Sequence, residues 1–167
     1  MVSKNQARML SALIAFTLML FAAAKSSQAQ GQAGAKDKKE QKKVEKEARK
    51  LAGTAEDAEQ QLGRDAVYCI LAAHTGLGTA QSLKSKYESL TDFSFGQFVA
   101  AVHMADRTEI LLDDILSKLQ EGQSLGQIAK EAGVSMGELR RGFGEFRSEL
   151  ARSITNPPTR DCFQSTL

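Results

Sequence analysis

Beyond residue 40 the apolar positions of this chain recur at alternating steps of three and four, the spacing of one helix face, and no β-rich alternation competes. Val44, Ala48, Leu51, Ala55, Ala58 and Leu62 form the first such seam, heptad-like but mostly alanine. An alanine seam buries little area per turn, and Gly53 costs about 1 kcal/mol in a helix interior. The segment therefore predicts a long, exposed helix, open to a break at Gly53 and a restart from Thr54. Further helices are expected over 66–74 (Val67, Ile70, Leu71, Ala73) with a stop at Gly76, over 79–89, over 95–105 and over 110–121 (Leu112, Ile115, Leu116, Leu119). The last spans 136–153, carries Leu139, Phe143, Phe146 and Leu150, and ends before Asn156-Pro157-Pro158.

Helix starts are written with unusual clarity. Ser94 with Gln97, Ser124 with Gln127 and Ser135 with Glu138 each have the capping-box spacing, in which two orphan backbone donors are satisfied reciprocally. Gly133 supplies the left-handed residue between the last two helices, and Ala129, Gly133 and Leu139 stand at helix-turn-helix spacing. Gly122 to Phe146 is accordingly expected to be the packing centre. The pattern S-x-G-Q-apolar occurs twice, at 94–98 and 124–128, which suggests that Gly96 and Gly126 let the preceding helix pass close to the new one.

The N-terminus changes the picture. Lys4 and Arg8 precede an apolar run from Met9 to Ala24, and Ser27-Gln28-Ala29 has the small residues of a signal-peptidase site. The run is shorter than the roughly 20 residues of a spanning helix, which favours a cleaved signal over an anchor. Lys25 and the basic run from Lys36 oppose translocation, so the rival is an inverted anchor with the domain in the cytoplasm. Charge is then divided. Residues 36–50 hold eight Lys/Arg against four Asp/Glu, and everything after residue 50 is net acidic.

The run SFGQFVAAVHMADRT followed by LLDDILSKLQEGQSLGQIAKEAGVS resembles a group of uncharacterised bacterial exported proteins with a segment of the form ILxxxxxGxxxGEIAxxxGV. Gln127 stands where that group often has glutamate. The resemblance implies export and a small helical domain, and brings no activity, cofactor or catalytic residue.

Candidate chemistry is sparse. Cys69 and Cys162 are the two cysteines, and export makes a disulfide the natural reading, against a buried thiol at Cys69 and a free one at Cys162. His103 and Asp106 lie one helical turn apart with Asp113 and Asp114 following, but only one ligand pair is visible in sequence, so no metal site is expected. His74, near Gly76, is expected to contact the last carbonyls of its helix or the helix dipole. No nucleophile or general acid has the company it needs, so neither an enzyme nor a cofactor is expected.

The fold expected is all-α: a small orthogonal bundle of about five or six helices with a charged N-terminal helical arm. Its divisions are a signal peptide (1–29), a disordered lead-in and charged arm (30–62), a helical domain (63–154) and a tail (155–167). The function expected is a non-catalytic binding or structural module of the cell envelope, in the periplasm or outside the cell. Its partner would be a protein or an anionic envelope component, met through Lys38, Lys39, Lys42, Lys43, Lys46, Arg140 and Arg141, with membrane-surface contact through the basic arm. The alternative is a membrane-tethered DNA-binding regulator presenting Arg140, Arg141 and Arg147 to the major groove. The acidic balance past residue 50, with Glu145 and Glu149 on the same helix, opposes nucleic acid.

Overall fold

A computed structural model describes residues 35–157, so the expected signal peptide and lead-in, up to residue 34, and Cys162 lie outside the described residues. The chain divides into two units, Met1–Lys39 and Glu40–Leu167. Of the first, only 35–39 are described, and they are helical. The second is all-α: α1 (40–62), α2 (Arg64–Thr75), α3 (Ala80–Glu88), α4 (Phe95–Arg107), α5 (Leu112–Gln120), α6 (Leu125–Glu131) and α7 (Met136–Thr155). No strand occurs among the described residues, and no described helix is long and apolar enough to cross a membrane.

Local chemistry sets most of these boundaries. Ser94 and Gln97 close a reciprocal capping box at the start of α4, as do Ser124 and Gln127 at α6. Thr79 with Ser82 makes a further box at α3, which the sequence pattern did not signal. Ser135 Oγ accepts from the Glu138 backbone at 3.4 Å, without a reciprocal bond among the described contacts. Gly133 adopts φ 68°, the left-handed turn expected between α6 and α7.

The centre of packing is α4, not the stretch 122–146. Ten of its thirteen residues are buried, and it packs on α2, α5 and α7. A helix apolar on nearly all sides belongs inside a core. Tyr68 and Tyr87 set their rings against Phe95 and Phe98 at one end, with centroids 5.3–6.5 Å apart. The Arg64 guanidinium covers Tyr87 and Phe95 at 5.2 Å from each centroid.

The exposed arm, expected to be open to a break at Gly53, is not what forms. From residue 40 the helix runs unbroken through Gly53 to 62, and Val44, Leu51, Ala55 and Ala58 are all fully buried, with Ala48 nearly so. Residues 40–62 therefore belong to the same core as the helices that follow. The reason lies in the two S-x-G-Q starts. A Cβ on Gly96 would stand 2.5 Å from the Ala52 carbonyl oxygen, and one on Gly126 would stand 2.8 Å from the Gln41 carbonyl oxygen. Both glycines thus admit α1, and not the preceding helix, at points about three turns apart along its axis. Alanines on α1 complete the approach: a seam poor in area gains instead from backbone-level contact, where dispersion is dense.

Gly96→Ala and Gly126→Ala should each destabilise the fold by about 1–3 kcal/mol or more, because the clash is with backbone that cannot swing aside. Gly53→Ala, where an added methyl meets nothing within 4 Å, should stabilise by about 0.5–1 kcal/mol. Urea unfolding of the three variants checks both directions.

Candidate functional site

Two features stand out once the helices are placed: a buried polar cluster between α2, α4 and α7, and a basic face on α1. His103, in the middle of α4's apolar run, is fully buried. Its ring lies parallel to Phe146 of α7, centroids 5.2 Å apart and planes 8° apart, and approaches Phe143 at 5.5 Å. His74, in the last turn of α2, sits 5.3 Å from the His103 ring and 4.4 Å from Phe146. It does not cap its own helix as expected. Its Nδ1 is instead 2.6 Å from Glu149 Oε2 on α7, so the imidazole N–H donates across helices.

This leaves three imidazole nitrogens stranded. His74 Nε2 and both ring nitrogens of His103 are buried without a hydrogen-bond partner among the described residues. His103 Nε2 faces Gly142 of α7, an approach too poor in geometry to satisfy it. Each such orphan costs about 1–3 kcal/mol. Asp106, one turn beyond His103, brings a carboxylate to the same place: ligand atoms of His74, His103 and Asp106 all lie within 4.8 Å of one another. The sequence showed only the His103–Asp106 pair, and α2 delivers the third group. Asp113 and Asp114 take no part; Asp113 pairs with Lys86 of α3.

Burial pushes the His103 imidazole down from 6.5 to about 3, with the nearby His74 and Arg107 adding to the effect. Arg107 is the other charge here, with Nε 3.4 Å from Asp106 Oδ2 and its guanidinium 3.8 Å from Glu145.

The basic face has a simple origin. The inward seam of α1 turns two of its acids towards α7: Glu40 lies 3.7 Å from Arg140, and Glu47 lies 3.1 Å from Arg147. Glu40 also holds Lys43, and Glu47 holds Lys50. A hydrogen bond from Lys50, reinforced by the charges of Lys50 and Arg147, keeps Glu47 below its ordinary value. Lys42, Lys46 and Arg49 remain on the solvent side at steps of four and three. Arg49 has a loose contact with Glu45 at 3.8 Å, while Lys42 and Lys46 form no ion pair among the described residues.

The expected partner-binding set is thus divided. Lys42 and Lys46 share the open face, and Lys43 is drawn into a local pair. Lys38 and Lys39 are exposed in the first unit. Arg140 is tied to α1, and Arg141 lies 3.7 Å from Glu145. Cys69 is half-buried against the core on α2.

A groove of about 800 Å³ runs beside the α1 contact with Gly96, lined by Glu45, Arg49, Phe93, Gln97 and Gln123 among others. Glu45 Oε2 and Gln123 Oε1 are buried there without partners.

No family model, curated protein or solved structure matches the chain.

A buried neutral histidine makes stability depend on pH with a definite sign. The unfolded chain takes up a proton below about pH 6.5 while folded His103 does not, so its contribution is complete above 6.5 and is lost as pH falls towards 3. The slope reaches about 1.4 kcal/mol per pH unit. Urea midpoints measured from about pH 7.5 to 5 should fall for the wild type and flatten in His103→Leu.

Proposed function

We propose that the protein is an exported, non-catalytic binding module of the cell envelope that meets an anionic surface with the outer face of α1. The single observation that carries this is the segregation of charge on that helix. Glu40 and Glu47 turn towards Arg140 and Arg147, whereas Lys42, Lys46 and Arg49 face outward together, with the partly buried Glu45 beside Arg49. A cation near an anionic membrane surface contributes about 1 kcal/mol, so three in a row give useful but reversible attachment. The export signal at residues 1–29 and the likeness to exported bacterial proteins support the compartment. Localisation in the periplasm or outside the cell is part of the same proposal.

The DNA-reading alternative gains less. A short turn through Gly133 joins α6 to α7, yet Arg147 is held by Glu47 at 3.1 Å, and Arg140 and Arg141 make looser 3.7 Å contacts with Glu40 and Glu145. A reader of DNA needs those cations for phosphates.

Within this reading Cys69 pairs with Cys162 and ties the tail to α2. In the chain-entropy account, closing a loop of about 90 residues contributes roughly 4–5 kcal/mol.

Replacing Lys42, Lys46 and Arg49 together by serine should weaken sedimentation with phosphatidylglycerol vesicles about a hundredfold at low salt and leave the fold intact. Unchanged sedimentation rejects the anionic-surface role. Intact mass of the protein recovered from the cell should show a chain beginning near Gln30 that gains two hydrogen atoms on reduction, and a full-length reduced chain in the cytoplasm rejects export.

A further inference from the structure

We propose that His74, His103 and Asp106 form a binding site for a single first-row divalent transition-metal ion, for which Zn²⁺ is the best-matched probe. The proposal rests on the buried cluster and is independent of the basic face of α1, so either can fail alone.

The donor set is two imidazoles and one carboxylate from two packed helices, His74 at the end of α2 and the His103–Asp106 pair on successive turns of α4. Imidazole-rich sets select zinc, copper, iron and nickel over magnesium and calcium. Three protein ligands are also the number found where zinc keeps a fourth position for water. Metal sites in helical bundles are built in this manner, from side chains on facing helices.

Each ligand is prepared for the role. Glu149 accepts a hydrogen bond from the Nδ1–H of His74 at 2.6 Å, which orients the ring and directs Nε2 away from that bond. A carboxylate behind a histidine is the usual outer support of a zinc ligand, raising its basicity and holding its ring. His103 is fully buried and held by its parallel stack on Phe146.

Stranded nitrogens point the same way. A histidine pair used only to fill the core would leave His74 Nε2 and the His103 ring nitrogens without partners. A coordinated ion satisfies one nitrogen on each ring directly. Drawing donor atoms that lie within 4.8 Å of one another into a zinc shell, with bonds of about 2.0–2.2 Å, requires a small contraction. That movement falls to His74 and Asp106, whose side chains are 16% and 22% exposed, while His103 stays fixed. Arg107, 3.4 Å from Asp106, opposes a second cation, but its guanidinium is shared with Glu145 and the Asp106 carboxylate has two oxygens.

The test is Zn²⁺ titration of the full chain, free of any affinity tag and stripped with a chelator, in competition with a chromophoric chelator. The wild type should bind one Zn²⁺ with Kd below about 10 µM, with a rise in Tm that follows occupancy. Asp106→Asn and His74→Gln, at partly buried positions, should each weaken binding by at least tenfold. Glu149→Gln should weaken it roughly ten- to a hundredfold through the orientation of His74. Co²⁺ in place of Zn²⁺ should give visible d–d bands in the wild type that both ligand variants lose. Circular dichroism of the metal-free variants separates lost ligands from lost fold. Wild-type binding weaker than that limit, or wild-type affinity retained in both Asp106→Asn and His74→Gln, overturns the proposal.

Discussion

Helix α1 reaches the core because α4 and α6 each carry a glycine at their second residue, where a side chain would bar its way. Gly96 meets the backbone at Ala52 and Gly126 meets it at Gln41, so the helix is held at two points by contacts that no larger residue could make. Each point coincides with a capped helix start, Ser94–Gln97 or Ser124–Gln127. The cap fixes the backbone of the first turn, and the fixed turn places the glycine. Local hydrogen bonding and long-range packing are thereby joined in the same five residues, twice.

That docking decides the rest of the surface. With Val44, Ala48, Leu51, Ala55 and Ala58 facing inward, the helical period sends Glu40 and Glu47 towards α7 and leaves Lys42, Lys46 and Arg49 outside. The ion pairs to Arg140 and Arg147 are partly exposed and contribute modestly to stability. Their larger effect is to sort charge, so that Lys42, Lys46 and Arg49 stand exposed on the first half of α1 while Glu40 and Glu47 turn towards α7. Beneath it, α4 carries His103 into the interior and sets it against His74 and Phe146.

Helix identity was legible because periodicity and capping residues act over a few positions: the boxes at Ser94 and Ser124, the turn at Gly133 and the apolar face of α7 all follow from local spacing. The role of α1 was not. Its alanine seam scores poorly on area, and the glycines that compensate lie on helices far along the chain. Gly96 and Gly126 were visible as a repeated motif, but which helix they admit is a tertiary fact. The polar cluster was hidden for the same reason, since His74, His103 and Glu149 come from three helices. One signal was present: His103 stands inside the apolar run 98–105, which marks it for burial, and a buried histidine requires partners.

Whether α1 is structural core or detachable arm is the question on which both the charge sorting and the stability of the bundle turn. Native-state amide hydrogen exchange answers it directly. If α1 is core, the amides of 48–58 exchange only through global unfolding, with the same free energy and denaturant dependence as those of α4 and α7. Exchange of those α1 amides through a separate, lower-energy opening, while α4 stays protected, would contradict the account.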